Sequence, residues 1–254
     1  MDMTVDWPEL VRHPGERDHV VHVYRETAFL VEAVAEFIGT GLALGEAGLV
    51  IARPGLREAL LAALAARRLY PNRALRFLDA GTVLEAIMRE GAPQWPAFEA
   101  QCGGAMAELR LQYPGLRAYG EMVDLLWQQG QRAAALRLEE YWNELGRLRP
   151  FALLCAYRMD PLDGAAYGGG LELVCKAHTH LIPARDYAAF NRAVADAARR
   201  VLSEPLAHML ASLSATHRPS TDMPFGQAML FWLKQNMPRT AEKVLGEVRA
   251  KLAA

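Results

Sequence analysis

Lysine is scarce in this sequence of 254 residues: the 28 basic residues are 24 Arg and 4 Lys, and the first lysine is Lys176. A P-loop needs its lysine directly after Gly-x-x-x-x-Gly, on the β- and γ-phosphates, and nothing before residue 176 can supply it. The glycine-rich run Gly39-Thr40-Gly41 to Gly45-Glu46-Ala47-Gly48 lacks that lysine and sets Glu46 where a phosphate would be repelled. Ordinary P-loop ATP hydrolysis is thereby excluded. Cysteine is also rare. Cys102, Cys155 and Cys175 are odd in number and show no Cys-x-x-Cys spacing, so a disulfide framework is not expected. No charge of one sign dominates: Lys+Arg 28 against Asp+Glu 29 gives a net charge of −1, with no basic excess to hold a nucleic-acid backbone. The longest stretch free of Asp, Glu, Lys and Arg runs from Pro205 to His217, too short to span a bilayer. Asp2 and Asp6 precede the first Arg, the wrong sign for a signal peptide. What is present is apolar material, with 52% hydrophobic and 22% charged residues, which rules out global disorder. A soluble, cytoplasmic, reduced protein is expected, with no membrane and no direct nucleic-acid partner.

Strand and helix patterns alternate along most of the chain. Residues 19–24 are β-branched and aromatic, a strand pattern, and Phe29, Leu30, Val34, Phe37, Ile38 and Leu42 then fall at helical spacing over 27–44. Leu49 to Ala52 is a second strand, Leu56, Leu60 and Leu64 line a helix, and Leu75 to Leu78 form a third strand. Thr82 followed by Glu85 reads as a capping box, and a helix from about Ala97 to Leu111 is weakened by Gly103 and Gly104. Leu116 to Tyr119 is strand-like and leads into a helix over 121–127; Gln131 to Leu148 is a stronger helix. Phe151 to Tyr157 is an unbroken apolar run, the mark of a buried central strand. A helix over Asp186 to Ser203 follows. This alternation predicts an α/β domain over residues 16–204, a mostly parallel sheet covered by helices on both faces. Residues 205–254 form a C-terminal helical extension, reached through a linker from Thr216 to Pro224.

Few residues announce chemistry. His19 and His22 are three apart on a strand and point to opposite faces, so a shared metal site is geometrically poor; one solvated histidine and one at a strand end is the plain reading. Cys155 inside its apolar strand reads as an inert buried thiol. Cys175, Lys176, His178 and His180 lie close together without zinc-ligand spacing, so no metal is assigned. A metal or redox role for Cys155, Cys175, His178 and His180 is a third-ranked alternative, whose affinity should fall on acidification. Glu139 and Asn143 are i,i+4 neighbours at the border of the stripe carrying Leu138 and Trp142. Glu121 opens a helix straight after a strand, where the bland reading is a favourable charge at a helix N-terminus, worth about 0.3–1 kcal/mol. No catalytic constellation and no dinucleotide fingerprint stand out, and no cofactor is indicated.

The ordered string of short motifs resembles a known family. His19-x4-Tyr24, Gly41-Leu-Ala-Leu-Gly45-Glu46 and Gly120-Glu121-Met122-Val123 are followed by Leu138-Glu139-x2-Trp142-Asn143-x-Leu145, Leu154-Cys155-Ala156-Tyr157 and Val174-Cys175-x2-His178-x-His180. Together, over residues 16 to about 202, they resemble the MEDS family, the methanogen/methylotroph, DcmR-type sensory domain. The resemblance implies a three-layer RecA/KaiC-like α/β fold without its nucleotide-hydrolysing loop, and a prokaryotic signalling role in sensing small organic or hydrocarbon-derived molecules. The positions matching its motifs are His19, Tyr24, Glu46, Glu121, Glu139, Trp142, Asn143, Cys155, Tyr157, His178 and His180. Arg158-Met159-Asp160 stands where the family usually has a proline.

The expected function is therefore a non-enzymatic sensory module that binds a small organic molecule and relays the signal through a protein partner. Its ligand residues are expected to be His19, Tyr24, Glu121, Glu139, Asn143, Cys155, Tyr157, His178 and His180. Glu121, Cys155, Tyr157 and His178 are placed at the carboxyl edge of the sheet, where ligands of open α/β sheets sit. The alternative is a degenerate RecA-like nucleotide binder or enzyme. The two C-terminal helices, with Phe225, Met229, Trp232 and Leu233 on one and Val244, Leu245, Val248 and Leu252 on the next, need cover for their apolar stripes. The α/β body, a second copy in a homodimer or a signalling partner would each supply it; in the dimer reading, deletion of residues 222–254 leaves a folded monomer.

Overall fold

The computed structural model describes residues 7–70, 72–182, 187–220 and 222–253. Its centre is set by the β-branched and apolar runs that cannot be exposed on either face. These are β1 (His19–Tyr24), β2 (Ala47–Ala52), β3 (Leu75–Asp79), β6 (Leu116–Gly120), β7 (Ala152–Arg158) and β8 (His180–Ile182). They pair in parallel in the order β3-β2-β6-β7-β1-β8. A short antiparallel pair, β4 (Met88–Arg89) and β5 (Ala92–Pro93), lies outside this sheet.

Side-chain alternation along β1 divides two apolar layers. Val20 and Tyr24 join the layer beneath α1 (Trp7–Arg12), α2 (Thr27–Ala43) and α3 (Pro54–Ala66), with Leu30, Val34, Phe37, Leu60 and Leu64. Val21 and Val23 join the other layer, covered by α4 (Ala80–Ile87), α5 (Trp95–Phe98), α6 (Gly104–Arg110), α7 (Met122–Gln128), α8 (Arg132–Leu148) and α9 (Gly169–Ala177). The three-layer α/β architecture with C-terminal helices is as expected from the sequence. Among the described residues no helix is long and apolar enough to cross a membrane.

Local readings need several corrections. Asp79, not Thr82, caps α4: its carboxylate accepts from the Thr82 amide at 2.8 Å and the Thr82 hydroxyl at 2.9 Å, which lowers its pKa. The helix expected over 97–111 is two α-helices joined by a π-helical turn, Glu99–Gly103, where the Arg149–Glu99 ion pair crosses at 2.8 Å. The uncharged run after residue 204 is a further helix, α11 (Glu204–Thr216). Asp186, the expected start of α10 (Tyr187–Leu202), lies outside the described residues, as do Asp2 and Asp6.

The apolar stripes of α12 (Phe225–Asn236) and α13 (Pro238–Ala253) are covered within the chain. Met229, Leu230, Phe231, Leu233, Val244, Leu245 and Val248 are buried in the same cluster as Phe190 and Val194 of α10 and Cys155 of the sheet. These stripes therefore give no argument for a second copy.

The glycine-rich run lies at the end of α2 and the turn into β2, a helix-to-strand connection rather than the strand-to-helix loop that cradles phosphate. Its Glu46 binds the buried Arg117 at 2.6 Å, and Arg117 also donates to the carbonyls of Val11 and Phe37. A Cβ on Gly41 would stand 2.7 Å from the Arg117 side chain and 2.9 Å from a Glu46 carboxylate oxygen. Alanine gains about 1 kcal/mol over glycine in a helix interior, but forcing this pair apart outweighs it. Gly41→Ala should lose about 1–3 kcal/mol in urea denaturation; a stabilised variant would show that the pair can shift freely.

Both β1 histidines are buried, so the expected solvated one is corrected. His22 lies on the Tyr24 face, its Nδ1 has no hydrogen-bond partner among the described residues, and burial lowers its pKa to about 4 from 6.5. A histidine with a depressed native pKa stabilises fully above its unfolded value, and that contribution is lost as pH falls from 6.5 toward 4. The loss amounts to roughly 3 kcal/mol across that window. His22→Leu should flatten the fall in stability between about pH 7 and about pH 5, read from urea midpoints; an unchanged slope would remove His22 as its source.

Candidate functional site

The sheet brings side chains together from four separate elements. His19 is the first residue of β1, Cys155 lies in the middle of β7, Glu139 sits on α8, and His178 follows the end of α9. The α8 stripe of Ala135, Leu138, Trp142 and Leu145 seats that helix on the sheet, and Glu139, next to Leu138, is carried into the contact fully buried. Thr179 clamps the start of β1: its amide and hydroxyl donate to the His19 carbonyl at 2.7 and 3.0 Å. This places the His178 ring over that of His19, with centroids 4.1 Å apart.

Glu139 is the hub. Tyr157 donates its hydroxyl to Glu139 Oε1 at 2.6 Å, and the Cys155 thiol points at Oε2 from 3.7 Å. His19 Nε2 lies 3.3 Å from Glu139 Oε2 and 3.3 Å from Cys155 Sγ. His178 Nε2 lies 3.4 Å from Glu139 Oε1, without hydrogen-bond geometry. One ligand atom from each of His19, Glu139, Cys155 and His178 fits within a span of 4.8 Å. Burial works to raise the Glu139 pKa, but the His178 and His19 rings, when they carry charge, outweigh it and hold the carboxyl below its usual range. Burial, reinforced by His178, lowers the His19 pKa. Burial and the nearby Glu139 carboxylate push the Cys155 thiol and the Tyr157 phenol well above their usual values.

The far nitrogens of both rings are also engaged. His19 Nδ1 meets Asn143 Oδ1 at 3.0 Å, and Asn143 Nδ2 donates to the Ala177 carbonyl at 2.9 Å. His178 Nδ1 meets the Val174 carbonyl at 2.6 Å. A cleft of about 480 Å³ reaches these rings from outside, lined among others by His19, Asn143, Arg147, Phe151, Lys176 and His178. It opens at the amino ends of β1, β7 and β8, where Asp18, Phe151 and Thr179 stand.

Of the expected ligand residues, His19, Glu139, Asn143, Cys155, Tyr157 and His178 thus form one group. The expected position at the carboxyl edge is corrected, since the group runs inward from the amino edge beneath α8. Glu121 and Tyr24 belong to a second group at the carboxyl edge. Glu121 takes the Arg53 guanidinium at 2.6 Å and the Arg53 amide at 2.6 Å, a pairing that raises the Arg53 pKa. The Tyr24 hydroxyl donates to Asp124 at 2.7 Å, and Asp124 also accepts from the Arg158 amide at 2.9 Å. Among the described residues no side-chain hydrogen bond joins the two groups. His180 stands apart from both, 2.9 Å from Asp222 and 3.8 Å from Asp18. Asp124 and Arg53 were missed from the sequence; the only available signal was Asp124 lying one helical turn from Glu121.

No curated protein and no solved structure matches the chain. The sequence model of one family matches residues 18–179, the span from the start of β1 to the turn after His178. That span is more than half of the chain and contains every residue of the Glu139 group. The chain belongs to the MEDS family, the methanogen/methylotroph, DcmR sensory domain.

Proposed function

We propose that the protein is the sensory component of a prokaryotic signalling system, taking a small organic molecule into the cleft over His19, Asn143 and His178. It relays occupancy to a protein partner rather than by nucleotide hydrolysis. The observation that carries this reading is a cleft of about 480 Å³ lined by His19, Asn143 and His178, three members of the buried Glu139 group, inside the family-matched span. Concave sites with a few convergent polar groups on an apolar frame are where small ligands bind. Arg17, Arg147 and Lys176 outnumber Asp18 and Glu140 around the cleft, which favours neutral or anionic molecules.

Phosphate finds little support in the corresponding part of a nucleotide binder. β1 passes to α2 through Arg25 and Glu26 alone, and the helix N-cap residue is the acidic Glu26. Thermal-shift measurements against small organic acids, aldehydes, halocarbons and nucleotides test the reading. A binding organic molecule should raise Tm by mass action, and Asn143→Ala should abolish the shift, while ATP and GTP leave Tm unchanged. A nucleotide shift, or an organic-ligand shift that survives Asn143→Ala, would refute it.

A further inference from the structure

We propose that His19, Glu139, Cys155 and His178 form a mononuclear site for a divalent transition-metal ion of the zinc class. The four donors come from β1, α8, β7 and the turn after α9, and all lie within 4.8 Å of one another. Ligands about 2.1 Å from a tetrahedral ion stand about 3.4 Å apart. His19 Nε2 stands 3.3 Å from both Glu139 Oε2 and Cys155 Sγ, Cys155 Sγ stands 3.7 Å from Oε2, and His178 Nε2 stands 3.4 Å from the other carboxylate oxygen, Oε1.

The hydrogen bonds around the rings fix the direction of their lone pairs. Asn143 uses its NH2 group on the Ala177 carbonyl, so its Oδ1 faces His19 Nδ1 as an acceptor. The Val174 carbonyl, which can only accept, faces His178 Nδ1. Each neutral ring therefore carries its proton on Nδ1 and turns the bare Nε2 toward Glu139. Two nitrogen lone pairs aimed at one carboxylate repel unless something positive lies between them. His178 Nε2, on a side chain only 1% exposed, has no hydrogen-bond partner among the described residues. A single shared proton would serve one of these contacts. A divalent ion serves all four donors, and its charge balances the Glu139 carboxylate and a Cys155 thiolate, which metal coordination deprotonates.

The surroundings match metal centres in a second respect. Ligating histidines hold their other nitrogen on a carbonyl or amide, and ligating carboxylates are themselves hydrogen-bonded. Asn143, the Val174 carbonyl and the Tyr157 hydroxyl fill those positions here. Two imidazoles, a carboxylate and a thiolate suit zinc, with cobalt as its spectroscopic substitute. This inference stands apart from the sensory reading, because metal content is measured without any organic ligand.

The test is elemental analysis and cobalt substitution of the full-length chain, expressed without a histidine tag in zinc- or cobalt-supplemented medium and purified reduced. The expected result is one metal per chain, with intense tetrahedral cobalt bands and a thiolate-to-cobalt charge-transfer band. Cys155→Ser should remove that band, and Cys175→Ser should keep it. Asn143→Ala keeps all four ligands and should weaken the metal roughly 10–100-fold, which holds the test open even if a ligand variant fails to fold. Absence of stoichiometric metal from the folded chain would overturn the proposal. So would a charge-transfer band that survives Cys155→Ser, or an affinity unmoved by Asn143→Ala.

Discussion

A chain cut after Arg218 should fail to reach the native state, leaving aggregated or molten protein. The cut removes α12 and α13, which bury Met229, Leu230, Phe231, Leu233, Val244, Leu245 and Val248 at 3% exposure or less. Each such side chain contributes about 1.5–3 kcal/mol on burial, so the seven together contribute about 10–21 kcal/mol, as much as the roughly 5–15 kcal/mol that holds a domain together. The discount of roughly 10–40% for compact unfolded chains still leaves a loss the size of a whole domain's stability. The cut also bares Phe190 and Val194, whose cover is the lost pair of helices. Soluble yield and near-ultraviolet circular dichroism check this. A soluble truncated monomer with a cooperative thermal transition would refute it, and would restore the view of these helices as a detachable module.

The second large effect is expected at Glu139. Its carboxylate accepts from Tyr157 and faces both histidines from full burial, so Glu139→Ala leaves a buried phenol and two ring nitrogens without their common partner. Losing one member of a buried charged group costs about 3–5 kcal/mol. Tyr157→Phe removes one hydrogen bond to a charged acceptor and should cost about 1.5–3 kcal/mol. In chelator, so that metal does not contribute, the double variant should be less destabilised than the two single losses added together, because both remove the same bond. Full additivity would show that the Tyr157–Glu139 bond carries no stability.

The sign of the acid response follows from the same group. His19 and Glu139 both titrate below their ordinary values of 6.5 and 4.5 in the folded chain, so each stabilises above its unfolded value. The His19 contribution declines as pH falls below 6.5, and that of Glu139 below 4.5. In chelator, urea midpoints should therefore drop in two stages on acidification, the second of which Glu139→Ala removes.

Local pattern alone determined the architecture over most of the chain. The β-branched and apolar runs that became β1, β2 and β7 can satisfy both their faces only inside a sheet covered on both sides. Helical spacing likewise marked α2, α3, α8 and α10, whose long stripes leave little choice. Short elements were illegible: α9 opens among Gly168, Gly169 and Gly170, and β8 has only 3 residues, too few for a period to show. At the site, residue type and motif order brought Glu139, Cys155, Tyr157 and His178 to notice, but not their arrangement. His19 meets Cys155 across 136 positions of chain and Asn143 across 124, separations at which no spacing rule operates. The parallel register of β1 on β7 and β8 closed those distances. The same register sent Tyr24 and Glu121 to the other edge, where the Tyr24 hydroxyl donates to Asp124 and Arg53 pairs with Glu121. Which polar residues share a pocket is decided by strand pairing and helix seating, because those interactions act between elements that the sequence places far apart.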